Sequence, residues 1–143
     1  LKHLTGYDLK LWGGGWKNNK LKELSKEEII TPEIASKIYN SSKICLNIHH
    51  QQSIKGLNMR AFEIPGSGAL EITDYKSDIE KEFEIEREIV AFKSLMELKE
   101  KLDVLISDSS LRREVSSKSY KKAVAKHTFT HRAKQIMEVV CGS

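Results

Sequence analysis

The chain has 143 residues, 39% hydrophobic and 31% charged, a balance that excludes a disordered or fibrous protein and fits one soluble globular domain with a buried core. No apolar run approaches the roughly 18 residues that cross a bilayer, and the first residues carry no signal-peptide pattern, so the sequence predicts a cytoplasmic protein without a membrane span. The net charge of +4 is segregated, with ten basic against five acidic residues over 1–62, six against twelve over 63–106 and eight against three over 107–143; no basic run carries interleaved aromatics, which argues against nucleic acid as a partner.

The chain starts at Leu1 and its first patterned element begins almost at once, so it reads as part of a longer protein; Gly142-Ser143 is left out of the fold reasoning. Tyr7 to Trp12 alternates apolar and polar residues and stops at Gly13-Gly14-Gly15, which predicts a first strand running into a glycine loop. Trp12 and Trp16 flank that loop, Trp12 as a core residue and the loop as a candidate edge of a ligand cleft. Lys20 to Glu28 reads as a short polar helix and Ile29-Ile30 as a brief strand. Thr31-Pro32-Glu33 supplies an N-cap, a first-turn proline and an acid at the positive end of the dipole, so a helix runs from Pro32 to Ser41.

Ile44 to Ile48 is short and almost wholly apolar, the pattern of a central strand covered on both faces. Cys45 lies within it, where a thiol behaves as a small buried hydrophobe. Neither Cys45 nor Cys141 falls in a metal-ligand spacing, and an intracellular chain keeps both as thiols. A polar loop, His49 to Gly56, leads to a helix predicted over Leu57 to Ile64 and ended by Pro65-Gly66-Ser67-Gly68. Ala69 to Thr73 reads as a strand, Asp78 to Phe83 as a short helix and Glu88 to Phe92 as another strand. Ser94 caps a helix through Ile106, Ser109 to Lys126 forms a second long helix and Thr128 to Val140 a third, with a kink at His127-Thr128.

Strands separated by helices predict an α/β fold, a Rossmann-like parallel sheet with right-handed crossovers. Ligands of such sheets sit beyond the carboxyl ends of the strands, which draws attention to residues 49–60 and 73–76. Gly56-Leu57-Asn58 would place free amides at a helix N-terminus, where anions are favoured. Arg60 adds a guanidinium suited to phosphate oxygens, and Glu63, one turn on, offers two acceptors for a pair of hydroxyls. An exposed helix face presents the same residue types, so this pattern by itself leaves both readings open.

The run Ser42-Lys43-Ile44-Cys45-Leu46-Asn47-Ile48, then Gly56 through Glu63, Gly68 and Thr73-Asp74-Tyr75 resembles the C-terminal domain of the CgeB-like (spore maturation) branch of the group 1 glycosyltransferases. Glu88 to Phe92, Glu97-Leu98 and His127 to Arg132 follow in the same order, so the resemblance covers about residues 7–140. It implies a GT-B architecture, in which two Rossmann-like domains face a cleft and the C-terminal one binds a nucleoside-diphosphate sugar. Glu63 matches the glutamate that grips the donor ribose in related enzymes, with Gly56, Leu57, Asn58 and Arg60 near the diphosphate and transferred sugar. An earlier glutamate that those enzymes often carry is replaced here by Lys55, which bears on the sugar contacts and on the stereochemical course. The family commonly works without a catalytic metal, and the absence of an Asp-x-Asp pair agrees, so no cofactor is expected. The acceptor site would lie on an N-terminal domain outside this chain, which leaves the domain inactive by itself. A non-catalytic nucleotide- or partner-binding module of the same fold is the alternative that Lys55 keeps open.

Other residues fit at the same edge. His49 and His50 follow a strand, and His50 and Asp74 are candidate donor contacts; Asp74 also suits the start of a turn before Lys76-Ser77. His127 and His131 have the i, i+4 spacing of a helical zinc pair, but no third ligand stands nearby. The predicted kink separates them, leaving Thr128 to cap the last helix and Arg132 or His131 to pin it.

Overall fold

A computed structural model describes residues 2–4, 6–13, 20–26 and 30–142, and its Cα packing divides the chain into two compact units, 1–38 and 39–143. In the first unit the expected strand over Tyr7 to Trp12 does not form: Leu11 makes a single parallel bridge to Ser25, with hydrogen bonds from Leu11 N–H to the Leu24 carbonyl and from Lys26 N–H back to the Leu11 carbonyl. Of the helix expected over Lys20 to Glu28, the described part is one 3-10 turn at Lys22–Leu24. Gly14, Gly15, Trp16, Ile29 and the end of that helix lie outside the described residues, and Trp12 is exposed rather than a core residue. Helix α1, Pro32–Ser41, forms as predicted, with the Thr31 hydroxyl accepting from the Ile34 N–H.

The second unit is built on a three-stranded parallel sheet in the order β1 (Cys45–Asn47), β2 (Glu71–Asp74), β3 (Val90–Phe92). Cys45 pairs with Glu71 and Asn47 with Thr73; Thr73 pairs in turn with Ala91. Glu71, Ile72 and Thr73 are all buried, so β2 is covered on both faces and is the central strand. The apolar run at Ile44 to Ile48 instead forms an edge among the described residues, with Leu46 half-buried and Ile48 exposed. This Rossmann-like α/β layer carries α2 (Arg60–Gly66) against β1 and β2, and α4 (Leu95–Ser107) against β3.

Helix α2 starts three residues later than the pattern predicts, because Leu57 turns into an apolar cluster and the Asn58 side chain accepts from the Ala61 N–H. It also runs past Pro65, which lies in its last turn, where the missing N–H costs one bond only. Gly68 then takes φ +78, a left-handed conformation that lets the chain reverse into β2. The cluster that seats Leu57 contains Ile79 and Phe83 on or beside α3 (Ile79–Glu82), together with Ile89, Ala91, Phe62, Tyr75 and Ile85.

The three C-terminal helices match their sequence signals closely. Ser94 caps α4 by accepting from the Glu97 N–H. Asp108 caps α5 (Ser109–Lys126), accepting from the Ser110 and Leu111 N–H groups. Helix α5 buries Val115, Ser119 and Ala123, spaced four apart, and packs on α2 and α4. Thr128 caps α6 (Phe129–Cys141), which ends at a left-handed Gly142. Among the described residues no helix is long and apolar enough to cross a membrane, and both cysteines are free.

Candidate functional site

The carboxyl ends of β1 and β2 are joined through His49 and Asp74. The backbone N–H of His49 donates to Asp74 Oδ1 at 2.7 Å, and the imidazole Nδ1 lies 2.9 Å from the same oxygen and 3.3 Å from Thr73 Oγ1. A carboxylate only accepts, so Nδ1 carries the proton there. Burial raises the Asp74 carboxyl, but the His49 N–H, the His49 ring and Lys76 at 3.3 Å outweigh it and hold it below the usual range. Asp74 keeps a quarter of its side chain exposed and remains an acceptor at the sheet edge, whereas the His49 ring is fully covered.

Beneath this pair lies a buried polar chain that periodicity does not reveal. Asn47 and Glu71 are each 1% exposed. Asn47 Nδ2 donates to Glu71 Oε1 at 2.8 Å and to Asn58 Oδ1 at 2.9 Å, and Asn58 Nδ2 donates back to Asn47 Oδ1 at 2.9 Å. Burial pushes the Glu71 carboxyl up to about 8, the Asn47 hydrogen bond pulling it down and the Asp74 charge adding to the rise. Glu71 is therefore mostly protonated at neutral pH. Its presence in the apolar run Ala69-Leu70-Glu71-Ile72 was the one sequence signal that could have drawn attention to it.

Asn58 thus spends its side chain on anchoring the segment Gly56-Leu57-Asn58. The N–H groups of these three residues donate to no backbone carbonyl among the described residues. In the first turn of α2, Ala61 bonds Asn58, and Phe62 and Glu63 bond the Met59 carbonyl, while the Arg60 N–H donates to no backbone carbonyl among the described residues. The unbonded amides accordingly run from Gly56 into the first residue of α2. Leu57 is half-buried in its apolar cluster, and Ser53 Oγ fixes Gly56 by donating to its carbonyl at 2.6 Å.

Arg60 and Glu63 sit one turn apart on α2, both exposed. Arg60 hydrogen-bonds Tyr39, and burial raises the Tyr39 hydroxyl, with Glu63 adding to the rise and Arg60 opposing it. These three side chains form one neighbourhood in which Glu63 faces solvent. Lys55 and His50 are exposed on the preceding loop, where the Lys55 carbonyl accepts from the Asp78 N–H at 3.3 Å. A cavity of about 210 Å³ lies elsewhere, at the amino end of β3, lined by Val90, Leu105 and Val115 among others, and contains none of these residues.

His127 and His131 are parted by the helix break. His127 ends α5 and packs between the rings of Phe62 and Phe83, each 5.1 Å away, with Nδ1 3.3 Å from Glu82 Oε2. His131 Nδ1 lies 2.7 Å from the Thr128 hydroxyl. Arg132 reaches Glu82 at 3.4 Å and lies over the Phe62 ring, pinning α6 as the sequence predicts. Among the described residues no group of three or more metal-ligating side chains is placed to hold an ion.

The parallel sheet with polar groups at its carboxyl edge fits several α/β families. What decides among them is the match of the glycosyl transferase-like family model to residues 1–138. The chain belongs to this family. No curated protein matches it. The backbone N–H of His49 and the Asp74 carboxylate stand at the carboxyl edge of the sheet, and the exposed or half-buried segment 55–60 follows β1.

Proposed function

We propose that this glycosyltransferase domain binds the nucleoside-diphosphate sugar donor and belongs to the CgeB-like branch. In this reading the unbonded amides of Gly56 to Asn58 and the Arg60 guanidinium receive the diphosphate, and Glu63 holds the ribose hydroxyls. Asp74, His50 and Lys55 lie at the same edge as candidate contacts to the transferred sugar. The observation that carries the reading is the coincidence of free main-chain donors, a solvent-facing guanidinium and a solvent-facing carboxylate within eight consecutive residues, 56–63.

Glycosyl transfer breaks the bond between the sugar and a diphosphate leaving group, so negative charge grows on that diphosphate in the transition state. Fixed N–H dipoles and a guanidinium stabilise such charge without reorganising. The acceptor and the base that activates it would come from an N-terminal domain, and an open half-cleft leaves the reacting atoms in water. The isolated domain is therefore expected to bind donor and transfer nothing. Lys55, standing where related enzymes often have glutamate, favours a second reading as a non-catalytic binding module.

Thermal-shift screening of uridine, guanosine, thymidine and adenosine diphosphates tests the binding reading. Ligand at about 100 times its Kd adds about 2.7 kcal/mol of stability, a shift of several degrees for a domain of this size. No shift with any of the four contradicts it. Turnover of the matching nucleotide sugar by the full-length protein separates an enzyme from a module.

A further inference from the structure

Asn47 and Glu71 are too deeply buried to meet a ligand, yet with Thr73 and His49 they put polar side chains into the interior of the sheet layer. A carboxyl in such a place costs stability against a hydrophobic side chain of similar volume, so a positional role is the physical reason to look for. The bonds supply one. The Asn58 amide is fixed at three points, by two bonds to Asn47 and by the Ala61 N–H on its oxygen. Glu71 takes the remaining Asn47 N–H, and the orientation of the pair is fixed from the Asn58 end: turned over, Asn47 would set its NH2 against Asn58 Nδ2, and Asn58 cannot turn with it without pointing its own NH2 at the Ala61 N–H.

We infer that Asn47 and Glu71 are positioning residues for nucleotide binding, holding the Gly56–Asn58 segment through the Asn58 side chain in the conformation that receives a diphosphate. This role rests on the donor-binding reading above. The segment has few other restraints besides the Ser53 bond to the Gly56 carbonyl and the packing of Leu57. Releasing Asn58 would let the three amides disperse, and the entropy of re-ordering them would fall on the ligand.

The test compares Glu71→Gln, Glu71→Met and Asn47→Ala with wild type, using calorimetry with whichever of the four nucleoside diphosphates shifts the wild type most, and amide exchange read by mass spectrometry. Glutamine keeps an acceptor for Asn47 and is expected to bind within about twofold of wild type, whereas methionine and Asn47→Ala lose about tenfold. Exchange at Ala61, Phe62 and Glu63, whose N–H groups bond the Asn58 and Met59 carbonyls, should accelerate in both weakened variants while β2 and α5 stay protected. Glu71→Met removes the buried acid but leaves one Asn47 N–H without a partner, so global unfolding is measured beside affinity, and the role predicts that affinity falls while β2 and α5 keep their protection. Unchanged affinity in Glu71→Met, or a loss that only follows lowered protection throughout the domain, overturns the role. A wild type that binds none of the four diphosphates overturns the donor-binding reading itself, and this role with it.

Discussion

Asn47 and Asn58 exchange two side-chain hydrogen bonds, each Nδ2 donating to the other's Oδ1 at 2.9 Å. This reciprocal pair joins the end of β1 to the residues that precede α2, across eleven positions of sequence. It explains why α2 begins at Arg60 and why the amides before it stay unbonded. An element-by-element reading of the chain misses it, since neither asparagine occupies a position that periodicity marks.

The buried Glu71 carboxyl makes stability depend on pH. Its folded value of about 8 stands above the ordinary 4.5. The native state therefore keeps its proton while the unfolded chain releases it, and stability, full below about 4.5, falls as pH rises through 8. The slope attributable to this group is at most about 1.4 kcal/mol per pH unit. Urea unfolding of Glu71→Gln should give a flatter profile between pH 5 and 8 and a higher midpoint at pH 7.5; parallel profiles for the two proteins would show that Glu71 is ionised in the fold.

His127 has the opposite sign. Burial against Phe62 and Phe83 lowers it below 6.5, Glu82 opposes that shift, and Arg132 reinforces it. The unfolded chain then takes up a proton first, so this contribution is present above about pH 6.5 and is lost as pH falls. In an NMR titration Arg132→Ala should move the His127 midpoint up and Glu82→Gln should move it down. Shifts of the same direction in both variants would rule out this arrangement of charges.

Asp108 accepts from two backbone N–H groups at 2.9 Å, Ser110 and Leu111, at the head of the longest helix. Asp108→Ala is expected to cost about 1 kcal/mol in denaturant unfolding, and Asp108→Asn much less. A loss below a few tenths of a kcal/mol for alanine would mean that water replaces the cap.

The starts of α1, α4 and α6 were legible because their signals are local. Thr31, Ser94 and Thr128 each stand at or just before a helix start and mark it, whereas the Asp108 cap and the left-handed Gly142 emerge only in the structure. The helix break that separates His127 from His131 was legible for the same reason. The first strand was not, because Tyr7 to Trp12 alternates correctly yet only Leu11 finds a bridge; alternation specifies a face but supplies no neighbouring strand. Position within the sheet was also hidden, since the apolar run of β1 gives no sign that β2 would be the strand covered on both faces. At the candidate site, only the residue types and spacing of Arg60 and Glu63 were legible, and these fit an exposed helix face as well as a ligand site. The Glu71 to Asn58 chain was not, because it consists of contacts between residues distant in sequence.

The account turns on residue 63 holding the pentose of a nucleotide. Calorimetric titration of wild type and Glu63→Ala with the best-shifting nucleoside diphosphate measures this directly. Glu63 is exposed, so its replacement leaves the fold intact. The predicted result is an affinity loss of about tenfold or more for alanine, since two charge-assisted hydrogen bonds disappear. An affinity equal to that of wild type would contradict the account.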